Sequence, residues 1–114
     1  PIIRHQAVKL RLFEMFRKVE AARSLNRRAV AYNLVNNPFA GAPAGAFPAV
    51  QYAIASKVTS TQTAFEVASD ALQVFGGNGL SREYPIEKLL RDARASLIED
   101  GANDVLALHA ADKF

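Results

Sequence analysis

From Val8 onward, apolar side chains return at alternating steps of four and three residues through Leu12, Met15, Val19 and Ala22. The same rhythm runs from Val50 through Ile54, Val58, Thr61, Phe65, Ala68 and Leu72 to Phe75. A turn of about 3.6 residues stacks such positions into one stripe, so each stretch is predicted to form a long amphipathic helix. On the first, Lys9, Glu14, Arg17, Lys18 and Ser24 fall on the other side, and Glu14 precedes Lys18 by four residues, the favourable order for a helical ion pair. Asn26 projects onto the apolar stripe, where its amide needs partners, and reads either as a register-setting polar contact or as a group facing a site.

Proline and glycine punctuate these stretches. Pro38 disfavours helical geometry in the residue before it, so the first helix is expected to end near Asn36 and Asn37. Residues 39–46, rich in glycine and proline, read as a mobile loop tacked down by Phe39 and Phe47, and Pro48 is suited to open the second helix. That helix is expected to commit one face to the first, the two packing antiparallel, with Lys57, Ser60, Thr61 and Thr63 as polar contacts or a solvated edge. Gly76 and Gly77 are expected to stop it in left-handed conformations. Pro85 then opens a shorter helix with Ile86, Leu89, Leu90 and Ala93 inward and a Glu87 to Arg91 pair, and a break from Ile98 to Gly101 precedes a last segment carrying Val105, Leu106, Leu108 and Ala111. With no strand pattern and no repeat, the prediction is all-α: an up-and-down, four-helix-type bundle.

At 114 residues and 50% apolar composition, one domain can bury a core without staples. There is no cysteine and there are two histidines, His5 and His109, which argues against disulfides, thiolate chemistry and a zinc site. The net charge of +3 is spread among interleaved acids and bases, unlike a nucleic-acid stripe. No apolar run approaches membrane-spanning length. Pro1-Ile2-Ile3-Arg4 looks like neither a signal peptide nor an initiation site, so the chain is read as a piece of something longer, with a cytoplasmic setting expected, or the mitochondrial matrix if the source is eukaryotic.

Gly76-Gly77-Asn78-Gly79 follows a helix instead of a strand and lacks the lysine-serine or lysine-threonine pair of a phosphate loop, so a helix cap explains the glycines better. Gln73 is a poor choice for a position turning toward the core unless its amide has something to hold. The ordered run Gln73-Val74-Phe75-Gly76-Gly77-Asn78-Gly79, then Arg82-Glu83-Tyr84-Pro85-Ile86-Glu87-Lys88 and Arg91-Asp92-Ala93-Arg94, resembles the carboxyl-terminal helical domain of the acyl-CoA dehydrogenases. The resemblance covers essentially the whole chain, residues 1–114. It implies that Gln73, Gly76 and Gly77 contact FAD, typically that of a neighbouring subunit, and that the amino-terminal helical and middle β domains of such enzymes are absent from these residues.

In Ile98-Glu99-Asp100-Gly101-Ala102-Asn103-Asp104, the resemblance puts Asp100 where one branch of the family carries a catalytic glutamate directly before a glycine. A carboxylate there would take the proton next to the thioester carbonyl while hydride leaves the β-carbon for the flavin. Enclosure by acyl chain and flavin would raise its pKa above the free value of about 3.9. The Gly101 N–H would help hold the thioester oxygen, an oxyanion-type role in substrate binding. Aspartate is one methylene shorter than glutamate, so either the backbone shifts or a differently shaped substrate approaches, or Asp100 is a vestige. In branches whose base lies on an earlier helix, Asp100 would be only a helix N-cap. Ala102, Asn103 and Asp104 stand at flavin-touching positions of the family. The alanine restricts its contact to backbone N–H, and Asn103 can donate from its side chain.

The implied function is that of the carboxyl-terminal domain of an FAD-dependent enzyme that desaturates an acyl-CoA to its enoyl-CoA and passes electrons to an electron-transfer flavoprotein, working as a homo-oligomer (a dimer or tetramer). The isolated fragment is expected neither to hold FAD tightly nor to turn over. The alternative is a non-catalytic helical oligomerisation or interaction module from a relative that lost its base, with Phe13, Leu25 and Phe75 as exposed apolar contacts.

Overall fold

The computed structural model describes residues 1–36 and 50–114. The expectations for the 39–46 connection, Phe47 and Pro48 lie outside those residues. Among the described residues there are four α-helices and no strand: α1 (Gln6–Asn36), α2 (Val50–Phe75), α3 (Ile86–Ser96) and α4 (Asn103–Ala111). A short 3₁₀ turn, Ile2–Arg4, leads into α1, and a second, Gly76–Leu80, joins α2 to the segment before α3. The bundle is therefore all-α, as the periodicity requires.

Helices α1 and α2 lie antiparallel, since successive partners advance in one as they retreat in the other. Arg11 pairs with Asp70 at 2.6 Å, Lys18 with Glu66 at 2.8 Å, and the rings of Tyr32 and Tyr52 stand 4.7 Å apart. The expected Glu14 to Lys18 pair does not form. Glu14 instead accepts two hydrogen bonds from Arg17, at 3.0 and 2.6 Å, which holds its carboxyl below the usual range, and Lys18 reaches across to α2. A local pairing rule loses here to a partner offered by the neighbouring helix. The Glu87–Arg91 pair on α3 does form, at 2.9 and 3.1 Å.

The sequence reading gave α2 a single buried face, but α2 packs against α1, α3 and α4. Burial on it accordingly goes round the helix, with Ile54, Ser56 and Ala68 buried and Val58, Thr61, Phe65 and Leu72 half-buried. The core is thin. Its buried apolar members are Ala22, Ala29, Ile54, Ala68 and Ile86, mostly small side chains that let helix axes approach closely. Leu89, expected inside, is exposed, and so are Val105 and Leu108 on α4; Phe13 and Phe75 are exposed as expected, while Leu25 is half-buried. A radius of gyration of 17.5 Å exceeds the roughly 13 Å of a compact globule of this length, and much apolar surface is uncovered among the described residues.

Candidate functional site

Two elements carry the predicted chemistry, and α2 holds them apart. Lys57, which touches the Asp100 turn, and Gln73 are separated on α2 by a helical rise of about 24 Å. The Gln-Gly-Gly corner and the Asp100 turn therefore do not share a pocket in one chain.

The corner begins where Gly76, at φ 60, takes the left-handed conformation that ends α2. Gly77 does not share that conformation, contrary to expectation. The glycine that packing demands is Gly79, which is buried. A Cβ built on it would lie 2.7 Å from the carbonyl oxygen of Leu72 and 3.1 Å from Phe75 Cβ. Serine and tyrosine complete the bend, for Ser81 Oγ accepts from Glu83 N–H at 3.2 Å and Tyr84 packs edge-on to Phe75 with centroids 5.6 Å apart. Pro85 follows as the residue preceding α3, matching its expected role.

Gln73, Gly76 and Gly77 are all exposed, and Cβ atoms at Gly76 and Gly77 would meet nothing within 4 Å. Gln73 thus does not turn toward the core of this chain; it stands on the outer side of α2. An exposed amide thus adjoins a stretch of glycine backbone with open space beside it among the described residues.

The second element, residues 97–102, links α3 to α4. Asp100 at φ 54 and Gly101 at φ 98 are consecutive left-handed residues, and Leu106 lies under Gly101, 3.0 Å from where its Cβ would be. Ile98 N–H and Glu99 N–H donate to Ala95 O at 2.9 and 3.0 Å, and Asn103 N–H donates to Leu97 O at 3.0 Å, closing the loop. Asp100 is exposed, and its carboxylate meets no hydrogen-bond donor or cation among the described residues. Nor does Gly101 N–H find an acceptor among them. The residue capping α4 is Ala102, without a side-chain cap bond, so Asp100 does not serve as its N-cap.

The side chains behind the turn form a polar clamp. Lys57 Nζ donates to Ser96 O at 3.1 Å, Gly101 O at 2.8 Å and Asn103 Oδ1 at 2.8 Å. An ammonium only donates, so the Asn103 oxygen must face it, and Asn103 Nδ2 then donates to Thr61 Oγ1 at 3.0 Å. The Asn103 amide is thereby directed at α2, while Ala102 and Asp104 line a groove of about 540 Å³ with Gln62, Arg94, Ile98 and Asn103. The sequence marks Lys57 only as a polar contact or solvated edge, and Thr61 as that and as a member of the packing stripe. Their role depends on partners some 40 positions away, which no local pattern carries. Asn26, expected either to set register or to face a site, is exposed and makes no side-chain hydrogen bond among the described residues; it lines an α1–α2 groove with Ser56, Lys57, Ser60 and Thr61.

The profile of the family described as acyl-CoA dehydrogenase, C-terminal domain, matches residues 1–114. The chain belongs to the acyl-CoA dehydrogenase family. It is similar to the short-chain specific acyl-CoA dehydrogenase of Megasphaera elsdenii, 35% identical over 92% of this chain and 25% of that protein. It is also similar to the cyclohexane-1-carbonyl-CoA dehydrogenase of Geobacter metallireducens, 33% identical over 95% of the chain and 26% of that protein. A third relative, the mitochondrial isobutyryl-CoA dehydrogenase of Dictyostelium discoideum, is 32% identical over 95% of the chain and 24% of that protein.

Among solved structures, a chain described under the electron transferring flavoprotein of Acidaminococcus fermentans and flavin-based electron bifurcation superimposes with a TM-score of 0.82 at 31% identity, over 98% of this chain and 27% of that one. This acyl-CoA dehydrogenase C-terminal domain thus spans about a quarter of the length of the relatives it matches. Among its described residues no helix is long and apolar enough to cross a membrane.

Proposed function

We propose that this domain serves an FAD-dependent acyl-CoA dehydrogenase that converts an acyl-CoA thioester to its enoyl-CoA, within a protein that also carries an amino-terminal helical domain and a middle β domain. The observation that carries the reading is the tandem left-handed turn, in which an exposed Asp100 carboxylate, without a partner among the described residues, adjoins a Gly101 N–H that has no acceptor among them. Asp100 takes the proton from the carbon next to the thioester carbonyl. Negative charge then grows on the thioester oxygen, and Gly101 N–H donates to it. FAD, when bound, supplies the hydride acceptor for the β-carbon, and an electron-transfer flavoprotein removes the electrons.

Gln73, Gly76 and Gly77 would contact FAD through the amide and bare backbone, and Ala102 and Asp104 would contact it at the start of α4, where Asn103, its amide held by Lys57 and Thr61, would shape the site from behind. The long rise between the two groups supports contacts to two separate cofactors, one of them belonging to a neighbouring subunit, in a homo-oligomer. Uncovered apolar residues such as Phe13, Phe16 and Leu10 supply surface for the missing domains and for subunit contact.

The same surface favours a second reading, a helical oligomerisation module without catalysis. Purified full-length protein separates the two. The dehydrogenase reading expects a flavin absorbance that bleaches when an acyl-CoA is added without oxygen, whereas a colourless protein, or flavin indifferent to acyl-CoAs of short, long and branched chain, overturns it.

A further inference from the structure

We infer that Lys57 is a positioning residue for the Asp100 turn, acting from α2 on the backbone that aims the carboxylate; this rests on the reading of Asp100 as base. The three protons of its ammonium match three acceptors: Ser96 O where α3 ends, Gly101 O immediately after Asp100, and Asn103 Oδ1 at the start of α4. These acceptors bracket Asp100 on both sides in the chain. No carboxylate pairs with Lys57 among the described residues, although its side chain is half-buried, so the charge is directed at the turn and not at an ion pair.

The turn needs such a brace. Asp100 sits at φ 54, a conformation that side-chain-bearing residues adopt only where the surroundings hold it, and its carboxylate makes no hydrogen bond or ion pair among the described residues to do so. Thr61 backs the clamp by accepting from Asn103 Nδ2 while standing 3.0 Å from Lys57 O, to which its hydroxyl donates. A shorter base than glutamate tolerates little drift, because a misplacement of about 1 Å can cost on the order of 10²-fold in rate.

The test uses the full-length protein with FAD and compares Lys57→Met, Lys57→Arg, Thr61→Val and Asp100→Asn. Two readouts apply: steady-state kcat and KM, and exchange of the acyl-CoA α-hydrogens with deuterium oxide, which follows proton removal alone. Lys57→Met is expected to lower kcat and exchange by roughly 10- to 100-fold with KM and flavin content unchanged. Lys57→Arg should recover most of the loss, and Thr61→Val should lower both rates several-fold.

If Asp100→Asn abolishes exchange while Lys57→Met leaves it at the parent rate, positioning is overturned and the base assignment stands. If Asp100→Asn exchanges normally, the base assignment fails and the positioning claim with it. Should Lys57→Met not fold, Thr61→Val decides, and parent-like kcat and exchange in that variant overturn the proposal.

Discussion

Leu106 packs directly beneath Gly101: a Cβ on the glycine would lie 3.0 Å from Leu106 Cδ2 and 3.1 Å from its Cγ. The glycine also stands at φ 98, where a side chain is strained whatever the space. Replacing Gly101 by alanine is therefore expected to destabilise the parent protein by about 1–3 kcal/mol. Denaturant unfolding of the two proteins side by side checks this, and an unchanged midpoint would mean that the turn is not held as described.

Gly79 and Gly77 separate packing from contact. At Gly79, a methyl group would collide with the Leu72 carbonyl, which is backbone and cannot swing away, so Gly79→Ala should cost about 1–3 kcal/mol. Gly77 faces open space, and Gly77→Ala should change stability by less than about 0.5 kcal/mol. If the corner meets FAD, the second variant nonetheless releases flavin more readily on dilution. Equal retention of flavin by Gly77→Ala and the parent would count against cofactor contact at that position.

The Arg11–Asp70 bridge joins α1 to α2 at 2.6 Å, but both side chains keep substantial contact with solvent, at 42% and 30% exposure. A double-mutant cycle with Arg11→Met and Asp70→Asn is expected to return a coupling below about 1 kcal/mol, shrinking further in high salt. A larger, salt-insensitive coupling would show that the bridge is shielded in the assembled protein.

The Arg91 hydrogen bonds hold Glu87 below its ordinary carboxylate range, opposed by desolvation and by nearby Asp92 and aided by Arg91 and Arg82 charge. A depressed folded value means that the contribution to stability is present above the unfolded value of about 4.3 and fades as pH falls through the folded one. In Arg91→Gln the Glu87 carboxyl, followed by carbon-detected NMR, should titrate at higher pH than in the parent. Coincident curves would remove the pair from the account.

Helix limits were legible where chemistry is local. Gly76 marked the end of α2 and Pro85 the start of α3 because left-handed backbone and a fixed φ act on the residue itself. Glu87 and Arg91 found each other because no other hydrogen-bond partner competes for either side chain among the described residues. Glu14 and Lys18 did not, since Glu66 on another helix competed for the lysine, and the outward Leu89 and Val105 reflect a bundle whose α2 receives three neighbours while their own outer faces receive none among the described residues. At the site, the run from Gln73 to Gly77 and the stretch around Asp100 stood out by order and composition. The clamp did not, because a lysine four residues before a threonine on a helix reads as an ordinary polar edge until the turn that binds it is seen in space.

In the proposed mechanism Asp100 removes the substrate proton. Its most direct test is the anaerobic half-reaction of the full-length Asp100→Asn protein, in which flavin bleaching is followed after mixing with an acyl-CoA and binding of the thioester is measured separately. Thioester binding close to that of the parent, with bleaching slowed on the order of 10²- to 10⁴-fold, is the predicted result. Bleaching at the parent rate would contradict it and move the base to another residue.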